Sequence, residues 1–245
     1  MATTALPPLS GDRGVVLIET RTGSRMWASR LIGALFLAGF LIYGAGSILM
    51  NSVVGTPDFL AGVGAKETTL ALGAFLMIAT TAVDIGKAVF FFPILEPHGK
   101  RTAVAYLATM VFEMAMMTVG VLTLLLIIPL ADQADSGRLD STVAQAFGSI
   151  AVDANEMAYQ IGQLSLAFGA LFLCALLYRT GLVPKWLAAW GIAGYALHFV
   201  GAGAEIFGAP ISLVLLIPGG IFEVTLAIWL LIKGFTPRAV SPSMR

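Results

Sequence analysis

The amino-acid sequence predicts an all-α protein, a polytopic bundle of six transmembrane helices with both termini in the cytoplasm. Three observations support this fold class. The chain is 58% hydrophobic and only 11% charged, it contains six long apolar stretches, and its basic residues lie on alternate connections. An ordinary soluble domain is about 45–50% apolar and about 25% charged. The mean hydropathy of +0.90 therefore indicates side chains that need lipid as part of their surroundings.

The six predicted spans follow from length, because a bilayer core about 30 Å thick requires about 20 apolar residues in helical form. They are approximately 31–50, 69–95, 103–130, 158–178, 186–207 and 211–232. Together they form one membrane domain, 27–235, between a cytoplasmic tail at 1–26 and another at 236–245. Gly, Pro and charged residues assign the connections to loops. In the longest and mostly acidic one, 131–156, Asp140 is predicted to cap a short surface helix over 141–150.

The lysine and arginine residues set the orientation of the spans. Of the 14 in the chain, eleven fall on one side of a six-span arrangement, two fall on the other, and Lys87 lies within a span. The eleven are Arg13, Arg21, Arg25, Arg30, Lys100, Arg101, Arg179, Lys185, Lys233, Arg238 and Arg245, and the two are Lys66 and Arg138. Because cytoplasmic loops are enriched in these residues, both termini are predicted to be cytoplasmic.

The charge balance and residue types limit the partners. Lys+Arg and Asp+Glu both number 14, so no net basic field recruits nucleic acid. Arg21, Arg25 and Arg30 are predicted to contact anionic lipid headgroups near the first span. One cysteine and two histidines argue against a Cys/His metal cluster, and neither a metal nor a cofactor is predicted. The sequence leaves the oligomeric state open.

Ionisable side chains within the predicted spans are the candidates for function, because charge inside a bilayer is costly. Asp84, Glu113 and Glu223 are predicted to share one level, slightly to the cytoplasmic side of the midplane. Lys87 lies on the same helix face as Asp84, and His198 lies near the middle of span five. We expect Asp84 to pair with Lys87. We also expect Glu113 or Glu223 to be partly protonated, because full ionisation would leave a net negative charge in a low-dielectric site.

These five residues lead to the hypothesis of a polar cavity enclosed by spans two, three, five and six, where a carboxyl group relays protons or binds a cation. The alternative is a structural role. Asp84 and Lys87 can form a local clamp, His198 can be a packed, hydrogen-bonded side chain, and Glu223 can satisfy backbone groups freed by Pro218. Four uncharged polar residues can line the same cavity or form interhelical hydrogen bonds: Thr80, Thr81, Gln160 and Gln163.

The leading functional interpretation is a small inner-membrane protein with a polar intramembrane pocket, acting as a proton- or cation-coupled carrier of small solutes. Two other classes stay open. One is a non-catalytic membrane sensor or assembly subunit, and the other is a membrane-embedded enzyme. The enzyme is less favoured, and no catalytic residue is assigned, because the GxSxG, P-loop and HExxH motifs are absent.

Several segments of the chain form a set that resembles a known family. They are Arg30-Leu31-Ile32-Gly33, the block from Asp84 through Lys87 to Pro93, the run YRTGLVPKWL at 178–187, WGIAGY at 190–195, PGGIFE at 218–223, and Lys233-Gly234-Phe235. Together they resemble the bacterial membrane family catalogued as domain of unknown function 4386 (DUF4386), over about residues 28–236. The resemblance implies a bacterial inner-membrane protein. It implies no activity, because the family has none assigned.

Overall fold

Every regular element in the described part of the chain is helical. The computed structural model describes residues 12–236, with the surroundings of side chains from Met26 onward. The elements are α1 (Asp12–Val54), a short 3-10 helix (Phe59–Gly62), α2 (Val63–Leu125), α3 (Ile127–Asp135), α4 (Ser141–Thr180), α5 (Lys185–Ile206) and α6 (Ser212–Ile232). The predicted all-α class is confirmed for these residues. The tail 237–245 and the side chains of Arg21 and Arg25 lie outside them.

Five of the described helices are long and apolar enough to cross a membrane, and not the six that the sequence predicted. The difference arises at predicted spans two and three, which the structure joins in the single 63-residue helix α2. The predicted turn at 96–101 is helical except at Gly99, whose φ of 176° and ψ of 82° interrupt the helix. Pro93 and Pro97 do not interrupt it, because a proline removes only one intrahelical hydrogen bond and helical dihedrals continue through both.

The helix α2 is a hairpin whose two arms lie before and after Gly99. The rings of Phe91 and Tyr106 are 5.8 Å apart, and the hydroxyl oxygens of Thr81 and Thr118 are 3.5 Å apart. Each pair is nearly symmetric about Gly99, as antiparallel arms require. A straight helix of this length would extend for about 95 Å, which is about three times the bilayer core. The reversal at Gly99 therefore keeps both arms within one bundle.

The predicted loop at 131–156 is mostly helical, because α3 and α4 leave only residues 136–140 between them. Asp140 caps α4 as predicted: its Oδ1 accepts hydrogen bonds from the N–H groups of Thr142 at 2.9 Å and Val143 at 3.2 Å. The predicted short helix does not end at residue 150. It continues into span four as one helix of 40 residues, which contains no proline.

The helices form a ring in the order α1, first arm of α2, second arm of α2, α4, α5 and α6, and α6 contacts α1 again. One end of the ring, here called the Gly99 end, collects the reversal of α2 and the ends of α4 and α6. Gly99 packs against Leu176 of α4, and the Thr236 N–H donates a 2.8 Å hydrogen bond to the Leu182 carbonyl. The residues after α6 thus fold back onto the bundle.

The opposite end of the ring, here called the Gly137 end, holds the 3-10 helix, α3 and the start of α4. The Leu60 N–H donates to Oε1 of Gln145 at 3.2 Å, which fixes the 3-10 helix to α4. The reversal between α5 and α6 lies toward the same side, because Gln160 Nε2 is 3.1 Å from Ser212 Oγ. Polar side chains therefore connect the elements at this end.

Two apolar cores fill the ring. The Gly99-end core contains the buried rings of Phe91, Tyr106 and Phe222. The Gly137-end core contains Leu70 and Val121, among other residues of α1, α2 and α3. The space between the two cores is where the buried polar side chains collect.

Candidate functional site

A cavity of about 280 Å³ lies within the ring between the two apolar cores. All five sequence-predicted site residues line it: Asp84, Lys87, Glu113, His198 and Glu223. The expected wall of spans two, three, five and six is incomplete, because α1 and α4 also line the cavity. The structure thus brings the five residues together, and their role in ligand or proton transfer remains a prediction.

Asp84 and Lys87 form the expected ion pair, with Lys87 Nζ 2.6 Å from Asp84 Oδ1. Both side chains are largely buried, at 13% and 7% exposure. The Lys87 ammonium also lies 4.3 Å from the centroid of the Phe36 ring, within the range of a cation–π contact. Gly39 of α1 allows the carboxylate to approach, since a Cβ there would lie 3.2 Å from Asp84 Oδ1. The pair therefore fixes the first arm of α2 against α1.

Within the described residues, the carboxyl group of Glu113 has one buried oxygen without a hydrogen-bond partner. Its side chain is 4% exposed, and Oε2 has no hydrogen-bond partner among the residues that the structure describes. Asp84, Lys87 and Glu223 are all close enough to interact with it electrostatically. An unsatisfied buried carboxyl oxygen is costly in a protein interior. This oxygen is therefore the group in the cavity most in need of a proton or a ligand.

Glu223 and His198 are connected through Tyr195, a residue that the sequence analysis missed. The Tyr195 hydroxyl donates a hydrogen bond to Glu223 Oε1, and the Tyr195 ring stacks on His198 with centroids 6.2 Å apart. Glu223 thus bonds a side chain of α5, and not the α6 backbone near Pro218 that the structural alternative proposed. His198 is 4% exposed, and its Nε2 has no partner in the described chain.

Most of the remaining wall is aromatic or apolar. The rings of Tyr43 on α1 and Tyr159 on α4 stack at 6.2 Å with an interplanar angle of 18°, and both line the cavity. No motif in the sequence marks either tyrosine. The apolar lining residues are Phe36, Phe40, Met77, Met114, Met117, Leu166 and Leu216. The site therefore combines a charged region with a larger apolar region.

The four uncharged polar candidates divide equally between the two roles that the sequence left open. Thr80 and Gln163 line the cavity. Thr81 contacts the second arm of α2, and Gln160 bonds Ser212 of α6. Thr81 and Gln160 therefore form hydrogen bonds between packed helical segments.

The arrangement can hold a proton or a cation in surroundings of low polarity. It offers the free oxygen of Glu113, the free nitrogen of His198 and the ion pair of Asp84 with Lys87. Carboxyl and imidazole groups at membrane depth are typical of proton relays and ion pathways.

Comparison with known proteins gives a family but no activity. The family model described as "Domain of unknown function (DUF4386)" matches residues 31–234, a range that includes every residue lining the cavity. No curated protein and no solved structure matches the chain. A functional conclusion therefore has to come from the cavity.

Proposed function

We propose a function from the cavity itself, because the chain belongs to the DUF4386 family, which is defined by a domain of unknown function. The protein is a proton- or cation-coupled carrier of small solutes in the bacterial inner membrane. The observation that supports this proposal is the free, buried carboxyl oxygen of Glu113 in a cavity shared with three other ionisable carboxyl and ammonium groups. A carboxyl in this setting can release its proton when a cation binds.

The charges in the cavity do not balance, and this imbalance favours coupling. Three carboxyl groups face one ammonium group, and Asp84 with Lys87 forms a neutral pair. Among the described residues, Glu113 and Glu223 then have no positive partner of their own. Uncompensated charge is strongly disfavoured away from water. Either a proton or a bound cation resolves the imbalance, and exchange between the two couples their movements.

The carrier crosses the membrane six times, because each arm of the α2 hairpin is long enough to span a bilayer. The basic residues support the orientation. Lys100, Arg101, Arg179, Lys185 and Lys233 lie at or beside the Gly99 end, whereas Lys66 and Arg138 lie toward the Gly137 end. The Gly99 end and both termini are therefore cytoplasmic.

Two single cysteine variants test this topology. Lys100→Cys and Ser136→Cys place exposed thiols at opposite ends of the ring, and the native Cys174 is fully buried. In intact spheroplasts a membrane-impermeant maleimide should label Ser136→Cys and spare Lys100→Cys. Permeabilisation should make both react. Labelling of both variants before permeabilisation would show that α2 does not cross twice, and the reverse pattern would contradict the orientation.

Arg21, Arg25 and Arg30 bind anionic lipid headgroups at the cytoplasmic side in this proposal. Arg30 also donates from Nε to the Leu231 carbonyl at 3.2 Å, which positions its guanidinium at the Gly99 end. A guanidinium at the end of a span is well placed for such headgroups.

Reconstitution into vesicles containing a pH-sensitive dye tests the carrier. Gradients of cationic, neutral and anionic small solutes are imposed in turn. At least one gradient should change the internal pH in vesicles with protein and leave empty vesicles unchanged. Glu205→Gln is the matched control and should retain the response, because Glu205 does not line the cavity and accepts a hydrogen bond from the Ser212 N–H at 3.0 Å. If no gradient changes the internal pH, a proton-coupled carrier of these solutes is rejected.

A non-catalytic sensor or assembly subunit is the second candidate. It is favoured by the two satisfied carboxylates, since Asp84 pairs with Lys87 and Glu223 accepts from Tyr195. A sensor would bind a solute in the same cavity without moving protons across the vesicle membrane. The vesicle experiment combined with a binding measurement therefore separates the two functions.

A further inference from the structure

The cavity reaches the protein surface although both ends of the ring are filled. Toward the Gly99 end, the rings of Phe91 and Tyr106 belong to a fully buried core. Toward the Gly137 end, Leu70 and Val121 belong to the second core. A ligand on the axis of the ring would have to displace one of these cores. The route to the surface therefore runs through the side of the ring.

The helices α1 and α6 both line the cavity between the two ends of the ring. Near the Gly99 end they touch, since a Cβ on Gly33 would lie 2.6 Å from the Ala227 carbonyl oxygen. Farther along, α1 packs on α2 instead, where a Cβ on Gly46 would lie 2.8 Å from the Gly73 carbonyl oxygen. Between these contacts, a Cβ on Gly44 would meet no atom of another described helix within 4 Å. Together these positions indicate a mouth between α1 and α6, beside Gly44.

On this side of the cavity, the lining residues are Phe40 and Gly44 of α1 and Leu216 and Gly220 of α6. Phe40 is 41% exposed, and every other lining residue is buried or half-buried. The neighbouring surface side chains on the two helices are apolar and exposed: Leu41, Leu213, Val214 and Ile217. In a bilayer such side chains contact lipid chains, so the mouth opens to the membrane interior.

The interior of the cavity is suited to an amphipathic ligand. Its apolar walls include Met114 and Met117, whose flexible thioethers adapt to varied shapes. The rings of Tyr43 and Tyr159 offer faces to a positive group. Deeper in the cavity, the free oxygen of Glu113 accepts a counter-charge. A volume of about 280 Å³ is slightly below the usual range of about 300–1,000 Å³ for small-molecule sites, so the ligand is small.

We infer that the cavity takes up amphipathic organic cations from the lipid, through the mouth between α1 and α6, with the cationic group placed against Glu113. This inference rests on the proposed carrier and names its substrate class. An anionic amphiphile would add to the existing excess of carboxylates. A neutral amphiphile would leave the negative charge of the carboxylates uncompensated, and a hydrophilic cation would leave the apolar walls unused.

Equilibrium binding to the full chain in nanodiscs tests the inference, with radiolabelled octyltrimethylammonium as the probe and empty nanodiscs as the blank. Tetramethylammonium, which lacks the chain, and 1-octanol, which lacks the charge, are the competitors. The probe should bind at least tenfold more tightly than either competitor. Glu113→Gln should weaken its binding at least tenfold. Equal affinity for the probe and either competitor would overturn the inference.

Two variants that block the mouth, compared with one control variant, test the route. Gly44→Phe should fill the mouth and slow probe entry at least tenfold, and Leu216→Trp should do the same from the side of α6. Gly86→Phe is the matched control, since a Cβ on Gly86 also meets no atom within 4 Å but Gly86 does not line the cavity. Equal entry rates in Gly44→Phe, Leu216→Trp and Gly86→Phe would contradict entry between α1 and α6.

The binding and vesicle experiments together distinguish a wrong substrate class from a wrong carrier function. If a neutral or anionic solute moves protons in a Glu113-dependent way and octyltrimethylammonium does not bind, the carrier stands and the substrate class is wrong. If octyltrimethylammonium binds as expected but no solute gradient moves protons, the ligand class stands and the proton-coupled carrier is wrong.

Discussion

Glu113→Gln is expected to reduce solute-coupled proton movement about 100-fold in reconstituted vesicles. Glutamine keeps the size of the side chain but can neither release a proton nor carry a negative charge. A single positioned proton-transfer group typically contributes a factor of about 10²–10⁴ to a rate. The wild-type Oε2 atom has no partner in the described chain, so this substitution breaks no observed hydrogen bond there. The initial rate of dye response to an imposed solute gradient provides the measurement.

Glu205→Gln serves as the control, since it makes the same chemical change outside the cavity. It should retain the wild-type rate within about twofold. A Glu113→Gln rate equal to that of Glu205→Gln would mean that Glu113 has no part in coupling, and the structural alternative for this carboxyl would then stand.

Lys87→Met is expected to lower the free energy of unfolding by about 3–5 kcal/mol, because it leaves the Asp84 carboxylate buried without its partner. Removing one member of a buried ion pair typically has this cost. The pair is short, at 2.6 Å, and both side chains are largely buried. Reversible unfolding in mixed micelles, followed by circular dichroism, gives the free energy.

Two further variants identify the cause. Lys100→Met removes an ion pair from the same helix, but Lys100 and Glu96 are 3.3 Å apart and exposed by 74% and 41%. Its loss should be below about 1 kcal/mol. The double variant Asp84→Asn with Lys87→Met should recover most of the lost stability, because no unpaired charge remains. Equal losses in Lys87→Met and Lys100→Met would contradict a buried ion pair.

Interactions between residues that are close in the sequence could be predicted. Asp140 caps α4 because a carboxylate before a helical run can accept from the first free N–H groups. Asp84 pairs with Lys87 because residues three apart on a helix face each other. Helical rise alone predicted one level for Asp84, Glu113 and Glu223, and all three line the cavity.

The features that depend on the packing of distant segments could not be predicted. Whether Pro97 and Gly99 form a loop or a narrow break in one helix depends on the two arms of α2 packing together. The approach of α1 to Asp84 depends on Gly39 and on a close contact between Gly46 and α2. The rotation of α1 and α4 about their own axes places Tyr43 and Tyr159 against the cavity. No local sequence pattern predicts that rotation.

The central claim is that the cavity is accessible and selects positive charge, and a thiol at Met117 tests it most directly. Met117→Cys places the thiol on the cavity wall, and the native Cys174 is fully buried. In detergent micelles, where bilayer lipid does not cover the mouth, the cationic reagent trimethylammonioethyl methanethiosulfonate competes with the anionic sulfonatoethyl reagent. Ser136→Cys, in the segment between α3 and α4, supplies the intrinsic ratio of their rates.

The ratio of cationic to anionic rates should be at least tenfold higher at Met117→Cys than at Ser136→Cys, as a focused negative potential requires. Adding Glu113→Gln and Glu223→Gln to Met117→Cys should remove most of this difference. Equal ratios at the two positions, or no reaction of Met117→Cys with either reagent, would contradict a cation-selective cavity.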